Sequence, residues 1–321
     1  MNLILYLIEI AARGRHAETM IRYLLWHGRA SADTLHHRRY EEANPVLHPA
    51  PREQPENDQT EQRALLTARG ILPVDDQPPF DIMGDVHGCF DELEELLATL
   101  GYVPAGDGFT HPEGRRLAFV GDLVDRGPAV IQVLRAVEDM VERGEALFVI
   151  GNHDAKALRW LRGHGVRVAN GLAATIQQFE ALPANEQRKL REHTERLFAT
   201  APAYLLLDGG NLVITHGAII DDMIGHWNDE IARLCMYGDV IGYTTHGKPI
   251  RRNWAAQREL PDNVSAPYIV YGHTVVERAE WVNRALDLDT GCVYGGQLSA
   301  LRYPEMEIVQ VPARRTYASR K

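Results

Sequence analysis

Between residues 79 and 162 the apolar and polar positions repeat one order: a short apolar run, a glycine among polar neighbours, then an amphipathic stretch. "FDIM", "RLAFV" and "ALFVI" are short apolar runs bounded by turn residues and read as strands. The segments 90–100, 129–143 and 154–162 return apolar residues at intervals of three and four, and read as helices. This alternation predicts an α/β fold whose strands are covered on both faces. Farther on, "AYLLL", "NLVIT", "PYIVY", "RALDLD" and "EIVQV" have fewer helices between them. They predict hairpins completing a second sheet, and so a β-sandwich core flanked by helices.

Upstream, Leu3, Ile4, Leu7 and Ile8, then Met20, Ile21, Leu24 and Leu25, recur at helical spacing, so residues 1–42 read as an N-terminal helical extension. Residues 43–78, with prolines at 45, 49, 51 and 55, read as a solvated linker, leaving 79–321 as the catalytic domain. The extension carries no recognisable chemistry, and His36 and His37 read as solvent-facing. Docking on the catalytic domain and self-association both suit it.

Composition narrows the partners. The 321 residues are 45% hydrophobic and 24% charged, which is ordinary for a globular chain, but the net charge of −10 argues against an extended nucleic-acid surface. A local basic pocket is still compatible, because lysine occurs only at 156, 189, 248 and 321 and the other cations are arginines, whose planar fork suits phosphate. The apolar run Leu3–Ile8 is too short to cross a bilayer and lacks a basic flank, so no membrane association and a cytoplasmic location are expected. Cys89, Cys235 and Cys292 are far apart, without a C-x-x-C pair, and read as buried free thiols.

The strand ends carry the chemistry. "FDIMGDVHG" stops on Asp85 and His87, "LAFVGDLVDRGP" on Asp122, Asp125 and Arg126, "LFVIGNHD" on Asn152 and His153, "LVITHG" on His216 and "YIVYGHT" on His273. A lone strand-end Asp or His is usually a turn or cap residue, but five strands ending alike point to one crevice at their carboxyl ends. Two Asp, three His and one Asn make a nitrogen and oxygen donor set without thiolate, suited to Mn, Fe, Zn or Ni rather than calcium. The count fits two divalent ions sharing a bridging carboxylate, the arrangement typical of phosphoester hydrolysis, in which the cations acidify the attacking water.

"GDVHG", "GDLVDRG" and "GNHD", in this order, resemble the signature of the calcineurin-like metallophosphoesterases of the phosphoprotein-phosphatase superfamily. "YGDVIG", "GKPIRRNWAA", "VYGHTVV" and "EWVNRALDLDTGCVYGGQLSALRYPE" extend the likeness over about residues 79–313. There it is similar to the bacterial branch holding PrpE-type diadenosine tetraphosphatases and the phosphatase module of polynucleotide kinase-phosphatase. The resemblance implies that Asp85 and His87 bind one metal, Asp122 bridges, and Asn152, His216 and His273 bind the second, with Mn the expected ion. It makes His153 the general acid held by Asp125, and Arg126 the clamp on phosphoryl oxygens. Asp289 reads equally as a turn cap or as a residue orienting a metal ligand. Arg251 and Arg252 are candidates for substrate phosphate against a solvated loop, and Trp254 reads as core.

Two positions depart from the pattern. "THGA" stands where many relatives carry AHAG, which keeps His216 but exchanges glycine and alanine around it. Asn170 stands where histidine is frequent, a change expected to affect substrate selection. Neither a G-x-x-x-x-G-K-[ST] loop nor a K-x-D-G sequence is present, so the likeness is to the phosphatase alone. The expected function is a two-metal phosphoester hydrolase acting on a small phosphorylated substrate: a dinucleoside polyphosphate, a nucleotide or an RNA end. The alternatives are a protein Ser/Thr phosphatase and a metal- and nucleotide-binding sensor without catalysis.

Overall fold

β1 (Phe80–Met83) shows how the core is made. Phe80 and Ile82 enter the cluster between two sheets, whereas Met83 faces the helices on the other side, as the two-residue period of a strand requires. The computed structural model describes residues 79–260 and 266–320. The expected N-terminal helices, the linker, His36 and His37 lie outside the described residues.

After β1 come α1 (Phe90–Leu100), β2 (Val103–Ala105), β3 (Gly108–Thr110), β4 (Arg116–Phe119), α2 (Val130–Glu142) and β5 (Ala146–Phe148). Three helices follow, α3 (Asn152–Leu161), α4 (Leu172–Glu180) and α5 (Ala184–Thr200), then β6 (Tyr204–Leu207), β7 (Leu212–Thr215) and α6 (Asp229–Tyr237). The chain continues through β8 (Val240–Tyr243), β9 (Pro249–Arg251), β10 (Tyr268–Tyr271), β11 (Trp281–Val282), β12 (Ala285–Asp287), β13 (Gln297–Tyr303) and β14 (Glu307–Pro312). One five-stranded sheet has the order β14-β13-β1-β4-β5, the other β11-β12-β10-β7-β6. Leu205, Leu207, Leu212, Ile214, Val270 and Leu286 of the second sheet pack against Phe80, Ile82, Ala118 and Leu301 of the first, which is the expected sandwich.

Details of the second half differ from the sequence expectation. "EIVQV" is β14 and pairs antiparallel with β13 at the edge of the first sheet. The second sheet is not a run of hairpins, since β7, β10 and β12 are parallel, with α6 and the β8–β9 hairpin lying in the chain between β7 and β10. The expected helix at 154–162 begins two residues earlier, at Asn152. Gly151 is its extended N-cap, and the Asp154 carboxylate accepts the Gly151 N–H at 3.0 Å, half of a capping box.

Between α2 and α5, Thr194 donates to the buried Glu138 carboxyl at 2.5 Å. Burial pushes this carboxyl up to about 7 from an ordinary 4.5. Between those values the folded protein retains a proton that the unfolded chain releases, so stability is highest below the window and falls as pH rises through it. Glu138→Gln is expected to flatten that fall and to add roughly 1–3 kcal/mol at pH 8, read by urea denaturation. An unchanged slope would mean that Glu138 ionises alike in both states.

Candidate active site

Loops from both sheets meet at Asp122. One carboxylate oxygen lies 3.5 Å from His87 Nε2, the other 3.4 Å from His216 Nε2. His216 Nε2 is in turn 3.2 Å from the Asn152 side-chain oxygen and 3.1 Å from His273 Nδ1. Asp85 accepts the His273 backbone N–H at 3.2 Å, which ties the end of β1 to the loop after β10. Five of the ten non-glycine residues with positive φ among the described residues are His87, Asp122, Asp125, Arg126 and His273. Each such backbone costs about 1–3 kcal/mol and persists only where its surroundings over-determine it, a pattern typical of functional sites.

The protons are arranged to leave lone pairs facing inward. His87 Nδ1 donates to the Val124 carbonyl at 2.7 Å and His216 Nδ1 to the Val120 carbonyl at 3.0 Å. A neutral ring so anchored presents a bare Nε2. Burial, aided at His87 by Arg126 and at His273 by His216, holds these two imidazoles well below their ordinary pKa, and burial lowers His216 as well. Burial alone would push the Asp122 carboxyl up, but His216, His153, His87 and His273 pull it well below the usual carboxylate range. Asp85 goes the other way, raised by burial and by Asp289, Asp122 and Asp287.

This donor set fits divalent cations. His216 Nε2, the Asn152 oxygen and an Asp122 oxygen are acceptors turned toward one another, and the buried His273 Nε2 has no hydrogen-bond partner. Ligand atoms of Asp122, His216 and His273 lie within 4.8 Å of one another, as do those of His87, Asp122 and His153. What such clustered lone pairs lack is positive charge, and nitrogen with oxygen donors suits first-row divalent ions.

His153 differs from His87 and His216 in what anchors its Nδ1. Its Nδ1 donates to Asp125 at 2.6 Å, and Asp125 also accepts Thr175 Oγ1 at 2.7 Å. On the opposite side, Arg126 Nη2 donates to His153 Nε2 at 2.7 Å while Nη1 reaches His87 Nε2, so one guanidinium spans both rings. The turn at Asn170 and Gly171 supports it: the Gly171 carbonyl accepts the Arg126 N–H at 3.2 Å, and a Cβ on Gly171 would stand 2.4 Å from Arg126 Cγ.

Asp154 holds the site together from outside the predicted ligand set. Its carboxylate accepts backbone N–H groups of Asp122 at 2.7 Å, Leu123 at 3.0 Å and Gly151 at 3.0 Å, clasping the Asp122 loop to the start of α3. The fourth residue of "GNHD" was a visible signal for the local cap on Gly151, but bonds to residues far along the chain, as to the Asp122 loop, have no signature in one sequence. Thr175, fifty positions from Asp125, was missed for the same reason.

The remaining candidates separate. Arg251 reaches the site's edge, for both its Cδ and His273 Cδ2 flank Gly238, at 3.3 and 3.8 Å from where a Cβ would stand. Arg252 instead pairs with Asp239 at 3.2 Å, away from this contact. Asp289 caps its turn by accepting the Gly291 N–H at 3.1 Å, and burial pushes its carboxyl up to about 6. Trp254 is half-buried and packs against the core, its ring against Tyr271 and its Nε1 donating to the Gly217 carbonyl at 3.1 Å. The glycine of "THGA" has a reason here: a Cβ on Gly217 would stand 2.5 Å from the Gly238 nitrogen. Cys89, Cys235 and Cys292 are buried and free.

Residues 78–277 match the family described as calcineurin-like phosphoesterase. A bis(5′-nucleosyl)-tetraphosphatase PrpE (asymmetrical) from Anoxybacillus flavithermus is 44% identical over 243 residues, covering 75% of this chain and 97% of the relative. The protein of the same name from Bacillus subtilis is 42% identical over 239 residues, covering 74% and 96%. A crystal structure provisionally named a diadenosine tetraphosphatase superposes with a TM-score of 0.53 at 25% identity, over 75% of this chain and 96% of its own. The chain therefore belongs to the calcineurin-like phosphoesterases, alongside the PrpE tetraphosphatases, and is a metal-dependent hydrolase of phosphoester or phosphoanhydride bonds.

Proposed function

We propose that this hydrolase cleaves a dinucleoside polyphosphate with two divalent cations, manganese foremost. The observation that carries the reading is Asp122, whose two carboxylate oxygens face the Nε2 atoms of His87 and His216 from opposite sides. Asp85, His87 and Asp122 would hold one ion, and Asp122, Asn152, His216 and His273 the other. Bound there, the pair supplies Lewis acidity, which acidifies water and offsets phosphoryl charge. The substrate class comes from the name carried by relatives that align over nearly their whole length.

The chain's own groups do the rest. Arg126, pointing between His87 and His153, offers a planar fork to two phosphoryl oxygens. His153, oriented through Nδ1 by Asp125, delivers a proton from Nε2 to the leaving oxygen when the ring is protonated and Arg126 has turned from Nε2 to the phosphoryl oxygens. Arg251 reaches the distal part of a phosphate chain from beside His273. A cytoplasmic setting goes with the three free thiols, and no described helix is long and apolar enough to cross a membrane.

The test is a panel given to protein stripped and reloaded with Mn²⁺: diadenosine tetraphosphate, p-nitrophenyl phosphate, bis-p-nitrophenyl phosphate, an RNA 2′,3′-cyclic phosphate and a phosphopeptide. The expected result is the highest kcat/KM for diadenosine tetraphosphate. A higher value for the RNA end or the phosphopeptide would overturn the substrate assignment.

A further inference from the structure

Beside the candidate site is an open cleft of about 580 Å³ that the two-metal chemistry does not use. It is lined by Ile220 and Met223 after β7, Tyr237 at the end of α6, and Tyr243 of β8, with Arg251 at one wall. The hairpin β8–β9 that forms much of it is a two-stranded sheet of its own. An isolated hairpin is marginal in water and has one face to fill. Among the described residues nine large apolar side chains are exposed, and five of them, Ile220, Tyr237, Ile241, Tyr243 and Ile250, belong to this hairpin and its flanks. Tyr243 is 70% exposed, unusually open for a tyrosine that no core requires.

We infer that this cleft binds the nucleoside of the substrate, its base stacked on Tyr243 and Tyr237. The inference rests on the polyphosphate reading and adds to it a place for the base. Three features select this ligand. The volume suits a nucleoside. The apolar wall opens onto Arg251, whose Nε is fixed by the Tyr237 carbonyl at 2.7 Å and whose stem shares Gly238 with His273, so an anionic tail leaving the cleft passes a cation on its way to the ions. The cleft's own charge is balanced, with Arg233 and Arg251 against Glu230 and Asp239, which does not provide the positive field a long polynucleotide needs. Stacking on tyrosine tolerates any base, so adenosine and guanosine should both be accepted.

The full chain loaded with Mn²⁺ is compared with Tyr243→Ala and Tyr243→Phe on diadenosine tetraphosphate and p-nitrophenyl phosphate. The ratio of the two kcat/KM values is expected to fall about fivefold to a hundredfold in the alanine variant, through KM, and to be kept by phenylalanine, as for a base stacked on a ring. An unchanged ratio overturns the inference and gives the cleft to another partner, such as a peptide. Saturation-transfer NMR with AMP supplies a second readout that needs no turnover. Saturation of the adenine protons in the parent, lost in Tyr243→Ala, supports the inference even if diadenosine tetraphosphate is not cleaved, which would sink only the substrate reading. Equal saturation in parent and variant overturns the inference whatever the kinetics show.

Discussion

Asp122→Asn is expected to lower turnover of every substrate by roughly 10³–10⁴, the several kcal/mol that a metal pair supplies to phosphoryl transfer. The substitution keeps the shape of the side chain, and the amide oxygen still accepts the His153 backbone N–H that Asp122 holds at 2.9 Å. What disappears is the negative charge between His87 and His216, and with it the group that both ions would share. Elemental analysis should therefore fall from two equivalents of metal to one or fewer, while the far-ultraviolet circular dichroism of the metal-free protein is unchanged. Full metal content together with full activity would show that Asp122 bridges nothing.

His153→Ala should divide substrates by their leaving groups. A histidinium acting as general acid contributes about 10²–10⁴, and an alkoxide leaving group needs that proton far more than p-nitrophenolate or a nucleotide phosphate, both weakly basic anions. Loss on an alkyl phosphate monoester is thus expected to exceed loss on p-nitrophenyl phosphate by at least about tenfold, with metal content unaltered. The competing role is real in the geometry, since His153 shares a potential ligand cluster with His87 and Asp122. Its anchor favours the acid: Nδ1 donates to the Asp125 carboxylate, which compensates a positive ring, whereas His87 and His216 anchor Nδ1 on a neutral backbone carbonyl. Loss of an ion in His153→Ala, or equal damage to both substrates, would make it a ligand instead. Asp125→Asn should mimic the alanine variant more weakly, because an amide still reaches Nδ1 but no longer compensates a positive ring.

The candidate ligands were legible because each stands at the end of an apolar run, and β1, β4, β5, β7 and β10 all appear where those runs predict them. Periodicity carried less where side chains are small or polar on the buried face. β13 escaped notice since Ser299 and Ala300 stand at fully buried positions with little apolar signal. α5, with three buried residues among seventeen, reads as a charged stretch rather than as a helix with a core face. β14 was placed in the wrong sheet because its hairpin partner β13 was unseen, and the pairing of β13 with β1, more than two hundred positions apart, is a long-range choice that no local pattern encodes. The start of α3 was misplaced because its first turn is written in ligand residues, and cap chemistry at Gly151 and Asp154 was hidden behind them. Likewise Arg251 and Arg252 are equivalent in sequence, and only the fold sends one toward His273 and the other to Asp239.

Asn152 and His153 are the first two residues of α3, about 100° apart around its axis, which is how neighbours in the chain address different tasks. The same turn is pinned by Asp154, whose carboxylate also holds the backbone of Asp122 and Leu123. For anyone redesigning this enzyme, the proposed proton donor and the proposed ion ligand on this turn are therefore a single tunable part. A change that tilts this turn to suit a new leaving group also reshapes the ion pocket, so new specificity is better sought at the exposed hairpin, which is free of that constraint.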